Sequence, residues 1–210
     1  MKRIVILIFL LGMTAAPAAN TFRMLQSNVI TGLIPDIEDG YGVAFRDFNN
    51  DRLPDIYLVC FRNLNRLLIN NGGIVPFVDR TIFSGLGGNL MPRGKVNLEL
   101  GASAADYDND GLPDLFIAGW GKAHALFHNE GNLRFTDATG HLNLHGIVDA
   151  NQGLWLDADN DGYLDLYITD EHHSNRFLHN EGNGYFDERV WTEEFVDSAV
   201  SQGGCVSDFD

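Results

Sequence analysis

A nine-residue acidic segment occurs three times in this chain. It reads DFNNDRLPD from Asp47 to Asp55, DYDNDGLPD from Asp106 to Asp114 and DADNDGYLD from Asp157 to Asp165. The last residues, Asp208-Phe209-Asp210, open what reads as a fourth. The starts are spaced by 59, 51 and 51 residues. A period near 50 residues marks a repeat architecture, in which each unit hides its apolar face only against a neighbour. An Asp/Asn/Gly-rich surface turn would explain any one of these segments, but turns arising by chance do not recur in register.

Carboxylates this close repel one another, so their spacing calls for a counter-ion. Aspartates at loop positions 1, 3, 5 and 9 suit a hard cation such as calcium, which takes about six to eight oxygens at roughly 2.3–2.6 Å. The expected ligands are Asp106, Asp108, Asp110 and Asp114 in loop two, and Asp157, Asp159, Asp161 and Asp165 in loop three. The carbonyls of Leu112 and Tyr163 at position 7 would add one oxygen each, made accessible by the turn at Gly111 and Gly162. Loop one offers Asp47, Asn49, Asp51, Asp55 and the Leu53 carbonyl. There Asn49 removes a charge and Arg52 replaces the glycine, so its site is expected to be the weaker of three, with a fourth cut short at Asp210. Magnesium demands a stricter octahedron. Zinc and copper favour nitrogen and sulfur ligands, which these segments lack.

The flanking residues exclude an EF-hand, whose loop ends in a bidentate glutamate between helices. Position 12 here is Leu58, Ile117 or Ile168, inside the runs IYLVCF, LFIAGW and LYITD, which read as strands. Ahead of each loop lies a segment of mostly small residues, GVAFR, GASAA or QGLWL, and later GGCVS. A third strand follows in NRLLINNGG, HALFHNEGN and NRFLHNEGN, and a fourth begins at Phe77, Phe135 and Phe186. Four antiparallel strands per unit at this period predict an all-β chain of β-propeller blades. The blades should cover about 41–82, 100–139 and 151–190, with the start of the next at 202–210.

In combination, the small-residue first strand, D-x-D-x-D-G-x-x-D, apolar strand, N-x-G and final F-x-D resemble the FG-GAP/VCBS repeats of integrin-α-type propellers. Among these the chain is most similar to exported repeat proteins related to cartilage acidic protein and the ASPIC/UnbV group. The resemblance spans about residues 22–210. It implies a calcium-stabilised propeller, commonly seven-bladed, associated with extracellular adhesion or recognition, and its calcium ligands fall on the same aspartates. Blade three departs from F-x-D, with Asp187 directly after Phe186. Three blades and one strand are fewer than the roughly four to eight that close a ring, so a truncated piece is expected. Phe22–Leu33 would then form the outer strand of a preceding blade.

Met1–Ala18 reads as a secretory signal peptide: Lys2-Arg3, an apolar run too short to span a bilayer, and Ala16-Pro17-Ala18. The mature domain would begin at residue 19, secreted, periplasmic or extracellular, with no membrane span after cleavage. Of the 29 acidic residues, 13 lie in the loops and the final stub. The net charge of −15 is therefore largely loop chemistry, and no basic surface for nucleic acid exists. Cys60 and Cys205 are expected as buried free thiols on distant blades. The partner is expected to be an extracellular protein or glycan, with the insertion GLGGNLMPRGKVNLELG and its Arg93 and Lys95 as a contact loop. Alternatives are the propeller of a calcium-dependent polysaccharide-degrading enzyme, or a scaffold for a missing C-terminal domain. The sequence offers no nucleophile elbow or P-loop. Its one suggestive cluster, Asp170-Glu171-His172-His173, is confined to blade three and reads as a solvated loop. His128 and His179, at matching repeat positions, read as structural parts of the Asn-Gly turn.

Overall fold

Each apolar run bounded by an acidic loop and an Asn-Gly turn becomes a strand. The computed structural model describes residues 9–10, 23–24, 40–60, 64–72, 77–88, 98–121, 124–146, 148–189 and 201–207. Two units are distinguishable, Met1–Ile37 and Glu38–Asp210. In the first, β1 (Phe9–Leu10) pairs antiparallel with β2 (Arg23–Met24). The rest of the expected signal peptide and of Phe22–Leu33 lies outside the described residues, as do Arg93 and Lys95.

The second unit is three four-stranded antiparallel blades of an incomplete propeller. Blade one is β3 (Gly40–Arg46), β4 (Asp55–Cys60), β5 (Arg66–Asn70) and β6 (Phe77–Asp79). Blade two is β7 (Glu99–Ala105), β8 (Asp114–Gly121), β9 (Ala125–Asn129) and β10 (Phe135–Asp137). Blade three is β11 (Val148–Leu156), β12 (Asp165–Asp170), β13 (Arg176–Asn180) and β14 (Phe186–Glu188). Blades two and three are also stitched by two residue pairs, Val148 with Gly121 and Asp149 with Trp120. Residues 201–207 take no place in a ladder. Ser201 donates its N–H to the Asp170 carbonyl, and Gly204 to the Gln152 side chain. Among the described residues, the first strands β3, β7 and β11 are each laddered to the second strand beyond their acidic loop.

Successive side chains of a strand point to opposite faces, and the second strands use both. Leu115 and Ile117 join Phe48, Tyr57, Val59 and Leu67 of blade one in one core. Phe116 and Ala118 turn the other way, onto Leu166, Ile168 and Leu178 of blade three. This is why the second strands read as unbroken apolar runs rather than alternating ones. In loops one and two the position-2 aromatic plugs the seam, Phe48 edge-on to Phe135 at 5.9 Å and Tyr107 against Phe186 at 5.6 Å.

The first strands meet at backbone contact, as their small residues require. Each carries a register shift, at Gly40/Gly42, Glu99/Gly101 and Ala150/Gln152. In blades two and three the residue bulged out at the shift, Leu100 or Asn151, aims its carbonyl at the preceding blade. A methyl group on Gly101 would sit 2.4 Å from the Asn151 carbonyl oxygen, and one on Gly42 would sit 2.7 Å from that of Leu100. Gly101→Ala is therefore expected to destabilise the protein by about 1–3 kcal/mol, the usual range for overpacking. Urea denaturation checks this, and an unchanged midpoint would contradict the close approach.

Candidate metal centres

Each acidic loop folds around its own position-1 aspartate. In loop two the Asp106 carboxylate accepts the N–H of Asp110 at 3.0 Å and of Gly111 at 2.9 Å. In loop three Asp157 accepts those of Asp161 and Gly162, and in loop one Asp47 accepts those of Asp51 and Arg52. Position 5 repeats the device, the carboxylates of Asp51, Asp110 and Asp161 accepting the N–H of Leu53, Leu112 and Tyr163. The asparagine at position 4 adopts a left-handed backbone in all three loops, with φ of 58° at Asn50, 60° at Asn109 and 58° at Asn160. That conformation is tolerated by asparagine. Position 6 is left-handed as well, at Gly111, Gly162 and Arg52. In Arg52 it is a strained choice that sets loop one apart.

These turns bring carboxylates together. Oxygens of Asp106, Asp108 and Asp110 lie within 4.8 Å of one another, as do those of Asp157, Asp159 and Asp161. Loop one has two carboxylates and an amide. Asn49 accepts the N–H of Asp51 and also donates to the Asp51 carboxylate at 3.0 Å, occupying an oxygen that the other loops leave open. Among the described residues, no lysine or arginine forms an ion pair with any of these loop carboxylates. The clusters could hold a metal ion. Their three converging oxygens fit a hard divalent cation, and bound calcium would supply charge neutralisation there.

Position 9 behaves differently from positions 1, 3 and 5. Asp55, Asp114 and Asp165 are each the first residue of a second strand and are fully buried. One oxygen accepts the N–H of the position-2 residue, Phe48, Tyr107 or Ala158. The other accepts the N–H of the asparagine closing the third strand, Asn70, Asn129 or Asn180, at 2.8 Å in every blade. These aspartates, expected as ligands, already pin the loop to the sheet. Burial drives the carboxyl of Asp55 up to about 6 and that of Asp114 up to about 7, partly offset by the N–H bonds they accept. Burial and the neighbouring Asp110 likewise raise Asp108.

The histidines before those asparagines face the loops. His128 Nδ1 is 3.2 Å from both Asp108 and Asp114, though aligned with neither as a hydrogen bond. His179 Nδ1 is 3.1 Å from Asp165 and 3.7 Å from Asp159. Their part is therefore with the carboxylates rather than in the Asn-Gly turn alone. The same position holds Ile69 in blade one, and that alternation was the sequence signal for it.

Sequence reasoning placed asparagines in the Asn-Gly turns and missed the links they make to neighbouring loops. Asn129 Nδ2 donates to the carbonyl of Phe48, and Asn180 Nδ2 to that of Tyr107 at 2.7 Å, each reaching into the preceding loop. Asn50 Nδ2 reaches the Gly111 carbonyl at 3.0 Å, and Asn109 Nδ2 the Gly162 carbonyl at 2.9 Å, each into the following loop. Their recurrence at positions 4 and 24 of the unit was the available signal. The cysteine expectation holds for one residue only. Cys60 is buried, but Cys205 is exposed because residues 201–207 lie at the surface.

At the far ends of the strands from the loops, the first strands open into a groove of about 530 Å³ lined by Tyr41, Trp120, Asn151, Gln152, Glu171 and Gln202. Beside it, Asp149 accepts the Gly121 N–H and sits 3.0 Å from His172 Nδ1, whose ring meets Trp120 edge-on. Burial works against the Asp170 charge, but N–H bonds from Asp149, His172 and His173 outweigh it and hold its carboxyl below the ordinary range. The blade-three cluster is thus a hydrogen-bonded turn.

An FG-GAP-like repeat family model matches residues 106–168, from the start of loop two into β12. No curated protein sequence matches the chain significantly. Among solved structures, a lectin from Agrocybe aegerita, described as recognising non-reducing terminal N-acetylglucosamine, is similar in fold, with a TM-score of 0.51 and 22% identity. The likeness covers 72% of this chain and 39% of the lectin, so the chain spans about two-fifths of that relative's length.

With metal withheld, the buried carboxyls set a pH dependence. Asp55 and Asp114 hold a proton more tightly folded than unfolded, so their contribution to stability is full below about pH 4 and is lost as pH rises through about 6 and 7. In EDTA the Tm is expected to fall between about pH 4 and 7, and a saturating divalent cation to flatten the fall. A flat profile in EDTA would contradict it.

Proposed function

We propose that this chain is part of a secreted, calcium-binding β-propeller that serves as an extracellular recognition or adhesion module, with calcium in a structural role. The observation that carries the reading is the convergence of three carboxylates in loops two and three with no lysine or arginine paired to them among the described residues. Calcium removes that repulsion and fixes each hairpin between first and second strands. In loop two the ligands are Asp106, Asp108 and Asp110 with the Leu112 carbonyl. In loop three they are Asp157, Asp159 and Asp161 with the Tyr163 carbonyl. Asp114 and Asp165 act at the rear of each site. Loop one, through Asp47, Asn49, Asp51, Leu53 and Asp55, is the weakest. Export supports the scheme, since sites of modest affinity fill at extracellular calcium levels of about a millimolar. Within the FG-GAP-like repeats, the order of motifs supports kinship with exported proteins related to cartilage acidic protein and the ASPIC/UnbV group.

Recognition is proposed for the groove remote from the loops. Its volume lies within the roughly 300–1,000 Å³ of small-molecule sites. Two aromatic rings, three amides and a carboxylate suit an uncharged, hydroxyl-bearing glycan end, and the lectin's sugar ligand supports that choice. The blade-three cluster favours a binding module over an enzyme, since its carboxylate is engaged with three backbone N–H groups.

Calorimetry against calcium is expected to show two stronger sites and one weaker, with a Tm several degrees higher than in EDTA. Asp108→Ala/Asp159→Ala should remove both strong sites, and binding like wild type in that variant would refute the ligand assignment. On a glycan array, calcium-loaded protein is expected to bind neutral glycans and Trp120→Ala to lose the signal. An array left silent while a protein ligand is captured at the same groove would move the assignment to the protein class.

A further inference from the structure

The acidic loops are joined to one another, and the joints run through residues that orient the carboxylates. The Gly162 carbonyl that accepts from Asn109 belongs to the same rigid peptide as the Tyr163 N–H, which donates to Asp161 at 2.8 Å. Loops one and two repeat this. Asn50 holds the Gly111 carbonyl, and the Leu112 N–H of that peptide donates to Asp110. Asn109 is itself set between Asp108 and Asp110, so closure of loop two on an ion fixes the amide that orients Asp161 in loop three. A second bond runs the other way. Asn180 donates its side-chain amide to the Tyr107 carbonyl of loop two and its backbone N–H to Asp165 of loop three. Asn129 does the same between Phe48 and Asp114.

We propose that Asn50 and Asn109 are positioning residues that couple neighbouring cation sites, so that filling one loop raises the affinity of the next. The inference rests on the calcium reading above. Coupling of this kind is a difference in affinity shared equally by both sites, and its carrier here is a peptide plane fixed from two sides. Both asparagines spend a side-chain N–H on the following loop. Asn160 supplies a matched comparison, having the same loop position and a φ of 58° but no hydrogen bond among the described residues.

Glycine keeps the left-handed backbone while deleting the amide, so Asn109→Gly and Asn160→Gly test the link without strain. Calcium is titrated into the full chain and followed by NMR through the Gly111 and Gly162 amides, which report loops two and three separately. In wild type the two are expected to titrate together with a Hill slope above one. In Asn109→Gly the Gly162 curve should separate and need roughly fivefold or more calcium, although every loop-three ligand is intact. In Asn160→Gly the curves should stay together. Coincident curves in Asn109→Gly, or equal separation in Asn160→Gly, would overturn the coupling while leaving calcium binding in place. A wild type in which neither amide responds to calcium would overturn the calcium reading, and the coupling with it.

Discussion

Asp55, Asp114 and Asp165 set the terms for the rest of the protein. Each is a carboxylate at the first residue of a second strand, sealed from water, with one oxygen on the loop and the other on the end of the third strand. An ionised group in that place is costly unless paired and hydrogen-bonded. The two backbone N–H bonds supply part of the compensation, and bonds of this kind contribute roughly 1.5–3 kcal/mol each. In loops two and three the charge is compounded by the aspartates at positions 1, 3 and 5, whose oxygens converge. That geometry could hold a metal ion.

Placing an acidic loop between first and second strands has consequences for packing. The hairpin it closes contains the first strand, where neighbouring backbones touch through Gly42 and Gly101, and the second strand, whose two faces belong to two different cores. In loops one and two the position-2 aromatic sits over the seam with its carbonyl held by the following blade. Loop, seam and axis are thus one structural element at the two junctions between the three blades. The groove lies at the opposite ends of these strands, away from the acidic loops.

The blade plan was legible because several signals agreed at each repeat: small first strands, apolar second strands, N-x-G turns and a phenylalanine opening the fourth. The convergence of aspartates at positions 1, 3 and 5 was legible for the same reason, since alternate residues of a tight loop share a side. The double anchoring of position 9 was not, because spacing alone does not distinguish a carboxylate that faces an ion from one that faces backbone N–H groups. The asparagine links were hidden because their acceptors are carbonyls 53 to 81 residues away in the chain. Cys205 was misplaced because a segment resembling a first strand was assumed to pack as one. Asp187 in blade three had a visible oddity whose resolution needed coordinates. Glu188 takes the place of Asp79 and Asp137 and pairs with Arg176 instead of capping a turn.

Crystals grown with calcium and measured at long wavelength test the central claim most directly. Anomalous difference peaks should lie inside the loops Asp106–Asp114 and Asp157–Asp165, with oxygen neighbours at roughly 2.3–2.6 Å, and a weaker peak in Asp47–Asp55. Well-ordered loops carrying no anomalous peak at millimolar calcium would contradict the account.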